Sequence, residues 1–367
     1  MIYLDNGATS FQKPPAVYRA MQHAMLTCAN PGRGGYGAAQ NAAEVIYGCR
    51  EQAGKLFACL PEQVVLTNNC THGLNIAIRS LVKPGSAVVI SGFEHNAVTR
   101  PLHALGAEIR MAGRKLFDWE DTLEQFERQL AGADAAVFTH VSNVFGYILP
   151  VEQMAALCRE KGIPFVIDAA QSAGTLPVSM NLGADFVAMP GHKGLLGPQG
   201  TGLLLCKEGA QPLLFGGTGS YSREQTMPPE LPDRLEAGTL NVPGFAGLRE
   251  GLRYLNQTGV DGICRREHRL LQRCVRGLRK AGMQVYSGDH QAATVSFLPG
   301  MDCEEAAANL ARQGIAVRAG LHCAPYAHES AGTLETGTVR VSMGHNTTDD
   351  QIEAFLRKAT KLPGVSN

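Results

Sequence analysis

Two neighbouring segments carry the residue types for acid, base and carbonyl chemistry: Pro164-Phe165-Val166-Ile167-Asp168-Ala169-Ala170-Gln171 and Met189-Pro190-Gly191-His192-Lys193-Gly194-Leu195-Leu196-Gly197-Pro198. Each begins as an apolar run of strand length and ends in polar groups. Asp168 and His192-Lys193 are therefore expected at the carboxyl ends of adjacent buried strands, where open α/β sheets bind ligands. A carboxylate and an amine then meet in one crevice. Pyridoxal phosphate uses such a pair: the acid keeps its ring nitrogen protonated, and the lysine forms a Schiff base and moves protons. Each residue alone has a plainer use, since an Asp after a strand caps helices and turns and a Gly-flanked Lys sits in solvent. The combination favours the cofactor, because Gln171 follows Asp168 at a spacing that reaches the phenolic oxygen and a glycine hairpin follows Lys193.

The elements that must hold these residues follow from the rest of the chain. Its 367 residues suffice for two domains and a large core. Basic and acidic residues balance at 33 each, so no broad basic face for nucleic acid is implied. Met1-Ile2-Tyr3-Leu4-Asp5 is not a basic segment leading into a long apolar one, and no apolar run approaches the roughly 18 residues of a membrane span. A soluble cytoplasmic protein with no membrane contact is expected. The ten cysteines form no Cys-x-x-Cys pair and no metal-like cluster, which points to a reducing compartment and to no metal site.

Between about residues 60 and 206, short apolar runs alternate with amphipathic stretches, the pattern of βαβ units and a mainly parallel sheet. Strands are expected at 63–67, 87–91, 108–112, 135–140, 164–168, 185–189 and 201–206, with helices at 74–81, 121–130 and 151–161. The Gly- and Pro-rich stretch 216–243 reads as loops. Beyond it come a helix at 260–281, a strand at 293–298, a helix at 303–313, strands at 315–318 and 338–342, and a helix at 349–361.

Further positions sit where they could join the site. Thr67-Asn68-Asn69-Cys70-Thr71-His72-Gly73 opens the 74–81 helix, whose free N–H groups suit a phosphate, although a Thr there is also an ordinary cap. His95, after the next strand, is placed to stack on a pyridine ring and shuttle a proton. Asn143 is placed to bond the cofactor's oxygen or a substrate carboxylate, and its Asn-Val-Phe-Gly run is equally a turn. Arg340, within Thr338-Val339-Arg340-Val341-Ser342, is a charge among apolar strand residues that needs a carboxylate, internal or the substrate's own. Val317-Arg318-Ala319-Gly320-Leu321-His322-Cys323-Ala324-Pro325 puts a thiol on a loop bounded by Gly and Pro. Ionising that thiol calls on Arg318, His322 or a bound substrate.

These residues together resemble the cysteine desulfurase and selenocysteine lyase branch of the class V aminotransferases. The likeness runs from Tyr3-Leu4-Asp5-Asn6-Gly7-Ala8-Thr9 through Arg33-Gly34 to Arg340-Val341-Ser342. It implies the fold type I of PLP-dependent transferases, α/β, with a large domain built on a mainly parallel seven-stranded sheet and a small α/β domain. The large domain is expected over 15–250, and the small one from 1–14 and 251–367, carrying the Cys323 loop. The resemblance makes Lys193 the Schiff-base residue, Asp168 and Gln171 the Asp-x-x-Gln pair, and His95 the stacking residue. Thr71 and His192 then contact the phosphate, and Thr239, in Ala237-Gly238-Thr239, reaches the phosphate of a partner subunit, implying a homodimer. Arg340 takes the substrate carboxylate, with Asn143 and Arg318 near it, and Cys323 accepts sulfur from a compact loop. Pro190 and Cys70 stand where many relatives have phosphate-binding Ser and Thr, and Leu321 replaces a common His.

The implied reaction converts L-cysteine to L-alanine and leaves a persulfide on Cys323 for an acceptor that includes, as one option, a protein. Selenocysteine lyase, with L-selenocysteine as substrate, is the nearest alternative. A true aminotransferase and a non-catalytic sulfur-pathway scaffold are the others.

Overall fold

A computed structural model of the chain describes residues 1–32 and 34–363; Arg33 of the quoted Arg33-Gly34 lies outside them. Seven strands form the large sheet. Across it they run in the order Val64–Thr67, Gly202–Cys206, Phe186–Pro190, Phe165–Asp168, Ala135–Thr139, Ala87–Ser91 and Glu108–Ala112. Five are joined in parallel, and Gly202–Cys206 runs antiparallel to both its neighbours. The inner strands are buried along their whole length because helices cover both faces, so they are apolar up to their last residues, polar in Ala87–Ser91, Ala135–Thr139 and Phe165–Asp168, and lack the alternation of half-exposed strands. Edge strand Glu108–Ala112 begins exposed at Glu108, a charge that discourages pairing with another chain.

The parallel strands end on one side, and the chain reverses its direction of travel across the sheet between Ala87–Ser91 and Ala135–Thr139. The connections on either side of that point diverge and leave an open crevice. Glu94 fastens it from below: its carboxylate accepts the Thr139 N–H at 2.9 and 3.0 Å and a bond from the Ser91 hydroxyl. It is fully buried, and burial pushes its pKa up to about 8.

A second, antiparallel sheet orders Arg318–Gly320, Thr338–Ser342, Thr294–Leu298 and Gln284–Tyr286. Helices Val260–Lys280, Cys303–Arg312 and Asp349–Ala359 pack on it around a separate core that includes Leu270, Leu271, Leu278, Phe297, Val341 and Phe355. The expected single strand at 315–318 is two short ones. Ile315–Ala316 pairs with Ile2–Tyr3, and Arg318–Gly320 joins the sheet. Helix Val242–Thr258 packs instead on helices Pro15–Thr27 and Gly37–Phe57 and belongs to the large core. The short helix Pro325–Ala331 also buries Ala327 in the large core, so the segment after Cys323 ties the two units together. No helix among the described residues is long and apolar enough to cross a membrane.

Candidate active site

The crevice encloses about 870 Å³ of open space, bordered by Cys70, Thr71, His95, Asn143, Asp168, Gln171, His192, Lys193, Arg318, Cys323 and Arg340. Every site residue expected from the sequence is in this wall except Thr239, which is exposed elsewhere.

Lys193 follows strand Phe186–Pro190 in a loop whose position is set by two glycines. A Cβ on Gly194 would meet Ala173 O at 2.3 Å, and one on Gly174 would meet Gly194 O at 2.3 Å, so the two backbones touch as only glycine allows. The Lys193 amine makes no hydrogen bond among the described residues. Burial lowers its pKa, opposed by the nearby Asp168 carboxylate. Asp168 ends its own strand, 2 % exposed, and its Oδ1 accepts the Ala170 N–H at 2.9 Å and the Cys70 thiol at 3.5 Å. Oδ2 is left without a partner among the described residues.

Helix Cys70–Leu81 begins at Cys70 rather than at 74, and its cap is Asn69, not a threonine. The Asn69 side chain accepts the His72 N–H at 2.8 Å, and its carbonyl accepts that of Gly73. Among the described residues the N–H groups of Cys70 and Thr71 have no partner at the positive end of the helix. Buried Cys70 stays a thiol, its pKa pushed well above the ordinary range by burial and then by Asp168. It donates to the carboxylate and is not free to serve as a phosphate ligand in place of the relatives' hydroxyl.

His95 caps helix Asn96–Ala104 through Nδ1, which accepts the Ala97 N–H at 3.0 Å. That bond leaves its proton on Nε2, and burial lowers its pKa, favouring the neutral ring. His192 Nδ1 lies 3.0 Å from the Thr9 hydroxyl, and burial pushes its pKa down to about 4. Gln171 donates to Gly7 O at 3.0 Å. Asn143 donates to His322 O at 2.7 Å, while its Oδ1 is buried without a partner.

Cys323 is exposed at the rim of the cavity, in a turn where His322 and Cys323 have φ of 52° and 57°, an uncommon conformation for side-chain-bearing residues. The turn is bolted down: Asn96 N–H donates to Cys323 O at 2.8 Å, and Ser330 Oγ donates to Gly92 O at 3.0 Å. On its outer side the same residue borders a surface depression of about 740 Å³ with Arg79, Asn96 and Arg100. His322, expected among the groups that ionise the thiol, also borders the cavity. Its ring is buried parallel to His328, and burial pushes its pKa down to about 2, so it carries no charge at neutral pH. Arg318 remains beside the cavity.

Arg340 is 2 % exposed, and the carboxylate it needs is internal. Its Nη2 donates to Asp5 Oδ1 at 2.7 Å and its Nη1 to Asn143 O at 2.9 Å, while Nε is buried without a partner. Asp5 and Glu94 are the two site residues that the sequence reading missed. The only signal for either was a carboxylate just past an apolar run.

The same organisation recurs in known proteins. The family model described as Aminotransferase class-V matches residues 2–355. The chain belongs to the class-V aminotransferase family. It is 32% identical over 379 residues to a probable cysteine desulfurase of Pyrococcus abyssi, covering 97% of this chain and 92% of that protein. It superposes on the apo structure of a cysteine desulfurase from Thermococcus onnurineus NA1 with a TM-score of 0.90 at 33% identity, covering 97% and 93% of the two chains. A C-DES mutant with glycine covalently linked to its PLP cofactor shares the fold, with a TM-score of 0.85 at 21% identity over 98% of this chain and 96% of that one. The family is PLP-dependent, and the two-unit α/β architecture here is fold type I.

Proposed function

We propose that the protein is a pyridoxal phosphate-dependent cysteine desulfurase, converting L-cysteine to L-alanine and passing the sulfur to Cys323. The observation that carries this reading is that the Lys193 amine, half-buried and without a hydrogen-bond partner among the described residues, shares one cavity with the Asp168 carboxylate and the exposed Cys323 thiol. The residues present suit the cofactor. Asp168 Oδ2 is free for the ring nitrogen, the free N–H groups of Cys70 and Thr71 together with His192 suit the phosphate, and Gln171 and the orphaned Asn143 Oδ1 face the same space. Pro190 borders it with neither hydroxyl nor N–H, so the helix end carries more of the phosphate's charge.

When bound, pyridoxal phosphate supplies a cationic ring that accepts the electrons released at the substrate Cα. Lys193 takes the Cα proton, and its lowered pKa raises the fraction of free amine able to do so. Arg340, with Arg318 and Asn143, holds the substrate carboxylate. The Cys323 thiolate forms an S–S bond to the substrate sulfur as the C–S bond breaks, a proton completes the methyl group, and Lys193 returns its proton to Cα to give alanine. His95 Nε2–H lines the cavity as a proton donor. One cysteine and one enzyme thiol thus become one alanine and one persulfide, with no outside oxidant.

The unit is a homodimer in this reading, with Thr239 serving the partner's phosphate. Its support is that Thr239 is exposed outside its own cavity and that the segment before it is held by the buried Arg50–Glu236 ion pair. Exposed Tyr18, Met25, Leu26 and Phe215 offer apolar surface for the second copy. All ten cysteines are free, which suits the reducing cytoplasm.

The test is to give the purified protein L-cysteine and, separately, L-selenocysteine, quantify alanine, and weigh the peptide containing Cys323. Alanine with one added sulfur on that peptide is expected, abolished in Lys193→Ala. Alanine formed at the normal rate by Lys193→Ala rules the assignment out.

A further inference from the structure

The group meant for the substrate carboxylate already holds a carboxylate. Arg340 sits 2 % exposed in strand Thr338–Ser342, and the Asp5 side chain takes its Nη2 at 2.7 Å. The second terminal nitrogen is held by Asn143 O, and Nε has neither partner nor solvent. An arriving carboxylate, entering the cavity that Arg340 borders, meets a guanidinium whose two terminal nitrogens are already engaged.

The two halves of this pair differ in freedom. The backbone around Asp5 is fixed, since Ser342 N–H donates to Leu4 O at 2.8 Å, Asn6 N–H to Ser342 O at 3.3 Å and Gly7 N–H to Ser342 Oγ at 2.7 Å. Gly7 lies so close that a Cβ there would meet Arg340 Cζ at 3.3 Å. The Asp5 side chain, 19 % exposed, has Arg340 as its one hydrogen-bonded side-chain partner among the described residues. It can turn away about its own bonds while the backbone stays in place. Arg340 cannot follow it, because Asn143 O keeps its Nη1.

We propose that Asp5 is a placeholder at the substrate-carboxylate site: it occupies Arg340 when the site is empty and yields the guanidinium to the incoming carboxylate. The inference rests on the reading of Arg340 as the seat of that carboxylate. Two consequences follow from charge alone. The buried guanidinium is never left without a counter-ion between turnovers, a state that is strongly disfavoured in a protein interior. Substrate affinity is also set by exchange of one carboxylate for another, so it is weaker than a free arginine would give.

Asp5→Asn separates these possibilities because the amide oxygen still accepts from Nη2 while the competing charge is gone. The probe is propionate, an unreactive carboxylate, titrated calorimetrically into the cofactor-bearing protein. Asp5→Asn is expected to bind propionate roughly tenfold more tightly, a like-charge relief of ordinary size for a partly buried pair. The KM for cysteine falls with it, while kcat changes less. Asp5→Glu, which keeps the charge, stays near wild type, and thermal unfolding of each variant verifies that the fold is retained. Propionate affinity unchanged or weakened in Asp5→Asn overturns the placeholder and leaves Asp5 a fixed support for Arg340. Propionate bound equally by wild type and Arg340→Met instead refutes the reading of Arg340 itself.

Discussion

A single methyl group at Gly194 tests how closely Lys193, the proposed Schiff-base residue, depends on its loop. In Gly194→Ala the new Cβ starts 2.3 Å from Ala173 O and 3.0 Å from Thr175 Cγ2, whereas ordinary contact begins at 3.4 Å. The first gap must therefore open by 3.4 − 2.3, or about 1.1 Å. The obstacle is backbone on both sides, since Gly174 lies against Gly194 O, so the strain cannot be absorbed by a flexible side chain. The loop that moves is the one that carries Lys193. A displacement of about 1 Å in a reacting group costs on the order of 10²-fold in rate, and overpacking of this kind costs about 1–3 kcal/mol of stability. The assay is alanine formation from cysteine with pyridoxal phosphate in excess, alongside the cofactor's visible band and the melting temperature. Gly262→Ala is the control, because a Cβ there meets nothing within 4 Å. A Gly194→Ala protein within twofold of wild type in kcat/KM and equal to it in melting temperature would refute the reasoning.

Other outcomes are equally definite. Glu94 binds a proton in the folded protein up to a pKa of about 8, against an ordinary 4.5, so the native state holds more protons than the unfolded chain in that window and stability falls as pH rises through it. Glu94→Gln removes this dependence: denaturant unfolding at pH 5, 7 and 9 should show wild type losing up to about 5 kcal/mol relative to the variant, with the difference level above pH 8. Glu267, also pushed up to about 8 by burial, is common to both proteins and cancels; a pH-independent difference contradicts the role given to Glu94. Brief iodoacetamide treatment at pH 7 should label the exposed Cys323 at least tenfold faster than buried Cys70, read by peptide mass, because the thiolate is the reacting form. Equal labelling would show that Cys70 is not held as a protonated donor to Asp168.

What the sequence made legible was whatever burial writes locally. Val64–Thr67, Ala87–Ser91, Ala135–Thr139 and Phe165–Asp168 were found almost to the residue because strands covered on both faces must be apolar throughout. Their polar ends then announced Asp168, His95 and Asn143. Helices Pro15–Thr27 and Gly37–Phe57 gave no such signal. Their apolar faces are broken by small residues and pack mainly against Val242–Thr258, far along the chain. The partner of Arg340 was hidden for the same reason, since Asp5 is 335 residues away and nothing local marks the pair. Nor could the sequence show the burial that keeps the His322 ring uncharged.

The turn that carries Cys323 has one more consequence. Cys323 borders both the inner cavity and the adjoining surface hollow beside Arg79 and Arg100. If Cys323 carries the sulfur as proposed, hydrogen bonds that pin its turn let one position of the sulfur serve both loading from the cavity and unloading at the surface.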